Sequence, residues 1–224
     1  MQTTETISHS RYFRGMEPDQ LRGLMRLVEF KSFQRNQPLW REGEHQQRLA
    51  FVAEGRLKLV KHRASGKDLI VDILGPGKMW GFIDTAEGQP LSVVGLAQGT
   101  LATIDQDVFL NHFKQTTSIA VNVAITQMQE YQSLLERFAE VTAGSVEARL
   151  ASLFLRMAEE EGRETAQGIV LDIPLSRQDL ADLVDTTIET TIRIMSRWNK
   201  ENVVVTQRSG FLIPELEELE ARID

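Results

Sequence analysis

The chain has 224 residues, a formal charge of −7 and no cysteine, which leaves room for one large or two modest domains and excludes disulfides, thiolate zinc sites, cysteine-ligated iron–sulfur clusters and thiol catalysis. The acidic balance argues against a generally sticky basic protein, so contact with nucleic acid has to come from a local patch. No apolar run approaches the ~18 residues of a membrane span, and MQTTETISHSRYFRG lacks the apolar core of a signal peptide, so a cytoplasmic protein without membrane contact is expected.

A short amphipathic helix carrying Leu21, Leu24, Met25 and Val28 comes first, its apolar stripe expected to cover one end of the domain behind it. From about Phe33 to Phe109, short apolar runs such as LAFVAEG, LIVDIL and LSVVGLAQG are punctuated by Gly43, Gly55, Gly66, Gly75, Gly77, Gly88 and Gly99. Strands of that length with turns at that spacing predict a β-barrel or a double-sheet jelly roll. Between Ser118 and Thr142 the text is an uninterrupted helical run. In it Ala124, Met128, Tyr131, Leu135, Phe138 and Thr142 step alternately by four and three, a heptad seam that needs a partner. Val121, Ile125 and Leu134 lie off the seam, so packing on the barrel alone leaves apolar residues over, and a parallel homodimer through this helix is expected. Ala143-Gly144-Ser145 ends the run. Ser145 then caps a further helix, whose Val146, Leu150, Leu153 and Leu155 to Met157 side opens a second core.

The stretch from Ser176 to Lys200 predicts two short helices joined by a tight turn. Ser176 is the N-cap, Asp179 its capping-box partner, and Leu180, Leu183 and Val184 form a buried stripe. The turn falls at Asp185-Thr186, where the backbone must reach positive φ, a region that Asp tolerates better than most side chains. In the second helix Thr191, Ile194, Met195 and Trp198 are spaced to pack inward, which turns Glu189, Ile192, Arg193 and Ser196 outward. An outward Arg can fork onto O6 and N7 of guanine, and Glu can accept from cytosine N4. Glu189 and Arg193, one turn apart, can therefore address one G·C pair or two adjacent ones. Plainer roles stay open, since Glu189 lies three residues after Thr186 and could close a capping box, and an exposed Arg can be merely solvated. Between Thr187 and Arg208 the basic Arg193, Arg197, Lys200 and Arg208 outnumber the acidic Glu189 and Glu201, a local footprint on an acidic protein. Val203 to Thr206, a turn at Ser209-Gly210 and Phe211 to Ile213 add a hairpin, completing a winged helix-turn-helix.

Barrel, long helix, glycine hinge and winged helix-turn-helix, in that order, resemble the superfamily of the cyclic-AMP receptor protein and the fumarate/nitrate reductase regulator over nearly the whole chain. The resemblance is carried by Ser176-Arg177-Gln178 with Leu180-Ala181, by Glu189-Thr190 followed by Arg193, by the turn Arg41-Glu42-Gly43-Glu44, and by Gly75-Pro76-Gly77 leading to Gly81. It implies an α+β chain with three parts. Residues 1–117 would be a β-jelly-roll effector domain of the cyclic-nucleotide-binding type, 118–143 the dimerisation helix, and 144–224 the winged helix-turn-helix. The heptad seam puts Ala124, Met128, Tyr131, Leu135 and Phe138 at the expected dimer interface. The resemblance further implies that Glu189 and Arg193 read bases, with Ile188 and Ile192 at the neighbouring base-facing positions, where either can meet a thymine methyl. Ser176, Arg177, Gln178, Thr187 and Thr190 would touch phosphates, contacts that fix register without carrying sequence information. The implied partners are a palindromic double-stranded operator with a TGA-like core, a second copy of the chain and RNA polymerase; whether polymerase is recruited or blocked stays open.

The departures matter as much. Cyclic-AMP-binding relatives carry Gly-Glu and Arg-Ser where this chain has Gly81-Phe82 and Leu91-Ser92, and their adenine-gripping Thr-Ser pair is Leu134-Leu135 here. A buried phosphate without its Arg is an unpaired charge, so cyclic AMP is not expected as effector. What remains is an apolar hollow, with Trp80, Phe82, Leu91 and Ser92 from the barrel and Met128, Leu134 and Leu135 from the helix as candidate lining, any of which could instead simply fill the core. The missing cysteines rule out an iron–sulfur cluster of the fumarate/nitrate type. Haem stays open through His9, His45, His62 and His112, as does a regulator that senses nothing and is controlled by its own abundance. No phosphate-cradling glycine loop and no assembly of nucleophile, base and orienter supports an enzyme. A module whose wing and helices dock a protein rather than DNA is the remaining rival.

Overall fold

The computed structural model describes residues 2–81, 88–142 and 144–223. Packing divides the chain into two compact units, residues 1–132 and 133–224. The first unit begins with α1 (Gln2–Ser8), a 3-10 turn (Arg11–Phe13) and α2 (Pro18–Met25). Six strands come next, β1 (Glu29–Phe33), β2 (Pro38–Trp40), β3 (Arg48–His62), β4 (Asp68–Leu74), β5 (Met79–Trp80) and β6 (Ser92–Asp105), and then α3 (Gln106–Gln115) and α4 (Thr117–Thr142). All pairings are antiparallel. β1 and β2 join β6, while β4 and β5 join β3.

The spine of this sheet is β3 against β6, paired from Arg48↔Asp105 to Val60↔Ser92. Strands this long must bend to enclose a core, and register shifts between Val52 and Leu57 provide the bend. Gly55 sits there at φ +79°, and a Cβ would stand 2.3 Å from the Gln98 carbonyl oxygen, so only glycine fits. Leu49 to Ala53 are buried without a break because this part of β3 is covered on both faces. Ala50 and Val52 join Leu57, Leu59, Leu74 and Val93 in one cluster, whereas Leu49 and Phe51 join Ile7, Tyr12, Phe13 and Phe109 in another. The second cluster makes the N-terminal segment, which no periodicity in the sequence assigns, part of the core. Tyr12 meets Phe51 edge to face and Phe13 meets it at a tilt, at centroid distances of 5.9 and 5.3 Å. Asn122 of α4 fastens the same segment by donating to the carbonyls of Tyr12 (3.4 Å) and Arg14 (2.6 Å). The expected amphipathic helix is α2, started by Pro18 in its first turn; it stops at Met25, so Val28 packs from beyond its end.

Helix α4 covers the expected helical run, and its apolar seam faces outward in the protomer. Met128 is 73% exposed, Phe138 68% and Tyr131 62%, with Leu134, Leu135, Val121 and Ile125 also exposed. The side chain of Thr142 and the hinge residue Ala143 lie outside the described residues.

The second unit holds α5 (Val146–Glu161), β7 (Arg163–Thr165), β8 (Gly168–Leu171), α6 (Arg177–Leu183), α7 (Ile188–Glu201), β9 (Val205–Thr206), β10 (Phe211–Ile213) and α8 (Leu216–Glu220). Ser145 caps α5, its hydroxyl accepting from the Ala148 amide at 3.1 Å. The buried stripe of α5 is Leu150, Leu153, Phe154 and Met157, whereas Val146 and Leu155 are only half-buried, a rotation of the expected face by about one residue. The wing hairpin β9–β10 is extended by β8 and β7 into one antiparallel sheet in the order β7-β8-β10-β9. The β7–β8 hairpin is an addition to the expected elements, although Gln167-Gly168 before the apolar Ile169-Val170-Leu171 is its turn signal. Phe154 binds helix to sheet, with Trp198 at 6.1 Å and Phe211 at 5.0 Å, both edge to face.

Candidate DNA-reading surface and barrel cavity

Local chemistry fixes the two helices of the reading motif. At the start of α6 the Ser176 hydroxyl accepts from the Asp179 amide (3.1 Å), and the Asp179 carboxylate accepts from the Ser176 amide (2.9 Å), a complete capping box. Asp185 takes up the turn at φ +51°, and the Thr186 amide donates to the Ala181 carbonyl at 2.9 Å. Of the expected α6 stripe, Leu180 and Val184 are buried and Leu183 is half-buried; the remaining buried places go to Ala181 and the capping and network carboxylates Asp179 and Asp182. Gln178 donates to Asp182 at 2.7 Å, so its amide is held along the helix.

Thr187, not Thr186, is the N-cap of α7, its hydroxyl accepting from the Thr190 amide at 3.3 Å. Glu189 is therefore one position early for a capping box. Hydrogen bonds from its own backbone N–H and from the Thr187 hydroxyl hold its carboxyl below the usual range. Thr191, Ile194, Met195 and Trp198 are buried, while Glu189, Ile192 and Arg193 are exposed and Ile188 and Thr190 half-exposed, so one face of α7 is free to meet a groove. Asn202 at φ +62° closes the helix.

Of the four counted basic residues, Arg193, Lys200 and Arg208 are exposed, but Arg197 is ion-paired with Glu147 of α5. Arg177 takes a place beside the wing, donating to the Thr206 hydroxyl at 2.6 Å and lying 5.9 Å from the centre of the Phe211 ring. Burial draws its pKa down, yet an Arg so far above neutrality stays charged. The guanidinium thus links α6 to the hairpin.

Behind α7, Glu147 accepts from the indole N–H of Trp198 at 2.9 Å and from Arg197, with Arg222 at 3.6 Å; Arg222 also reaches Glu201 at 3.2 Å. Burial works to raise the Glu147 pKa, but the bonds from Trp198 and Arg197 prevail and hold it below 4.5. Glu147→Ala leaves the Trp198 donor buried and unpaired, with an expected loss of ~1–3 kcal/mol, read from the shift of a urea midpoint. The stabilisation is present above pH 4.5 and is lost as pH falls through the lower folded value, so the deficit of the variant should shrink in acid.

In the first unit a cavity of 320 Å³ opens between β3, β4, α3 and α4, floored by Leu49, Leu59, Leu74, Phe109 and Phe113. Its polar groups are Tyr12, Asp72, Lys78, Gln127 and Glu130. Of the expected lining, Trp80 is present. Phe82 lies outside the described residues. Leu91 packs half-buried on the strand cluster, and Met128, Leu134 and Leu135 are exposed on α4. Ser92 is buried but engaged elsewhere: its hydroxyl accepts from the Glu42 amide at 3.0 Å and lies 3.1 Å from His62 Nε2, whose Nδ1 pairs with Asp68 at 2.7 Å. On α4 the face turned to the cavity is that of Val123, Gln127 and Glu130, so Met128 and Leu135 lie round the helix from it and Leu134 stands a turn beyond Glu130. Among the described residues the cavity holds neither an Arg for a cyclic phosphate nor a His for haem iron. Lys78 and Glu130 are not singled out by any motif; the only signal for Lys78 is its place directly after the Gly75-Pro76-Gly77 turn.

A jelly-roll barrel followed in the chain by a winged helix-turn-helix defines a DNA-binding transcriptional regulator. The family model for the Crp-like helix-turn-helix domain matches residues 148–222, and that for the cyclic nucleotide-binding domain matches residues 30–116. The chain is 20% identical over 220 residues to the CRP-like cAMP-activated global transcriptional regulator of Mycobacterium tuberculosis, covering 97% of this chain and 98% of that one. It is 22% identical over 178 residues to the anaerobic regulatory protein of Bacillus subtilis, covering 78% and 75%. Among solved structures, FixK2 from Bradyrhizobium japonicum superposes with a TM-score of 0.76 at 15% identity over 88% of this chain and 98% of that one. A CooA mutant from Carboxydothermus hydrogenoformans gives 0.76 at 17% identity over 90% of each. The chain belongs to the CRP/FNR family of transcriptional regulators. These relatives are regulatory proteins. No described helix is long and apolar enough to cross a membrane.

Proposed function

We propose that the chain is a homodimeric, sequence-specific regulator that binds a palindromic operator with a TGA-like core, under the control of an effector other than cyclic AMP. The observation that carries the reading is the pairing, on the outer face of α7, of exposed Glu189 and Arg193 one turn apart, on a helix whose opposite face is buried. Ile188 and Ile192 flank them for contact with thymine methyls, and Ser176, Arg177, Gln178, Thr187 and Thr190 line the approach to the backbone. The exposed seam Ala124, Met128, Tyr131, Leu135 and Phe138 supports the dimer, with residues 118–143 as its helix between a sensor (1–117) and a DNA-binding domain (144–224). Operator occupancy then reaches transcription through RNA polymerase.

Fluorescence anisotropy on a palindromic TGA-containing duplex tests this. Binding should weaken steeply with salt and exceed that to a scrambled duplex by ~10³-fold or more; equal affinity for both would overturn specific recognition. The same assay addresses the effector. Although the Mycobacterium tuberculosis relative is described as cAMP-activated, the described lining of this cavity holds no Arg for a cyclic phosphate and its floor is apolar. Titration with cyclic AMP is expected to give no heat and no change in operator affinity, and micromolar binding with a DNA response would refute that.

A further inference from the structure

We propose that the barrel cavity takes an amphiphilic monocarboxylate, whose head group draws Lys78 away from Glu130 and so unfastens the barrel rim from α4. This rests on reading the barrel as an effector site. The floor of aliphatic and aromatic side chains asks for an apolar body, since a sugar or a second phosphate there would leave polar atoms unpaired. On the rim two cations meet one carboxylate, that of Glu130. Lys78 Nζ lies 3.4 Å from Glu130 Oε2 and Arg11 lies 3.8 Å from Glu130 Oε1. Both contacts exceed the ~2.7–2.9 Å of a charge-assisted hydrogen bond. Two cations thus share one acceptor loosely, and an incoming carboxylate can take Lys78 while Arg11 keeps Glu130.

Tyr12 adds a donor to the same rim. Burial, together with the nearby Glu130, pushes its phenol up to about 12, so the hydroxyl keeps its proton at neutral pH. Asp72, the other carboxylate of the lining, opposes a ligand with a second negative charge. A cationic head would bring a third cation to Lys78 and Arg11. The consequence lies in where the pair sits. Lys78 directly precedes β5, and Glu130 belongs to α4, two residues from Met128 on the exposed seam. Occupation of the cavity is thereby coupled to the helix that carries the dimer face.

Calorimetric titration of the full chain with decanoate, decanol and decylamine, three probes with one tail, tests the inference. Decanoate should bind about tenfold or more tighter than the other two, the gain expected of one charge-assisted contact. Lys78→Met should abolish that preference yet still bind decanol, which also shows that the cavity is intact. Glu130→Gln, which removes the competitor, should bind decanoate more tightly and shift operator affinity without ligand in the direction that decanoate shifts the wild type. Decanol or decylamine binding as tightly as decanoate overturns the ligand class while leaving the barrel an effector site. A Lys78→Met chain that keeps the preference overturns the role of Lys78. No binding of any probe by a wild type that holds its operator overturns both the class and the effector reading.

Discussion

Met128→Asp is expected to turn the dimer into monomers and to cost the palindromic operator about 100-fold or more in affinity, because one protomer then engages one half-site without its tethered neighbour. Among the described residues Met128 is the most exposed large apolar side chain of α4, and Tyr131, Leu135 and Phe138 continue the same stripe toward the C-terminal end of the helix. A stripe of this kind is the mark of a surface that is covered in the working assembly. At a two-fold axis the substitution brings two carboxylates face to face in an apolar seam, a burial of unpaired charge that association cannot tolerate. Leu135→Asp, two turns on, should act alike. Neither change removes a core contact of the protomer, as both side chains are at least half exposed, so circular dichroism should remain that of the wild type. Sedimentation equilibrium decides the point: a dimer of unchanged stability would place the interface elsewhere.

How much of the molecule is legible in its sequence depends on how local each pattern is. The reading motif is legible almost residue by residue, because caps, a positive-φ turn and a 3.6-residue stripe are local devices: Ser176 and Asp179, Asp185 and Trp198 do what their spacing predicts. The start of α7 falls at Thr187, a choice left open by the sequence because adjacent threonines can both cap and nothing local ranks them. Long-range features are less visible. Tyr12 and Phe13 belong to the core only because β3 presents a second apolar face, which alternation cannot reveal when a strand is covered on both sides. Glu147 and Trp198 are 51 residues apart, and nothing local announces their bond. The barrel cavity is the least legible, for Lys78, Glu130 and Tyr12 come from three separate stretches that meet only in the folded unit.

Arg193→Ala and Arg177→Ala are expected to fail differently, and the difference separates reading from positioning. Arg193 is exposed on the outer face of α7, one turn beyond Glu189. If it forks onto a guanine, its removal should cost ~1–3 kcal/mol per half-site and relax preference at that base pair, leaving the others intact. Arg177 instead lies beside the wing, bonded to Thr206 and set against Phe211. From there it can offer its remaining N–H groups to a phosphate at the mouth of the groove. Its removal should weaken all sequences alike and flatten the slope of log affinity against log salt by ~1 for each phosphate it no longer neutralises. Because the hairpin loses a partner as well, Arg177→Lys should restore the salt slope without restoring full affinity, as an ammonium replaces the charge but not the stacked, forked geometry. Half-sites should stand ~34 Å apart, one turn of the duplex, so that a two-fold dimer meets successive major grooves on one side. A base-substitution scan is decisive: if Arg193→Ala keeps full discrimination at every position, Arg193 is one more backbone clamp, and specificity passes to Glu189 or to the shape of the DNA.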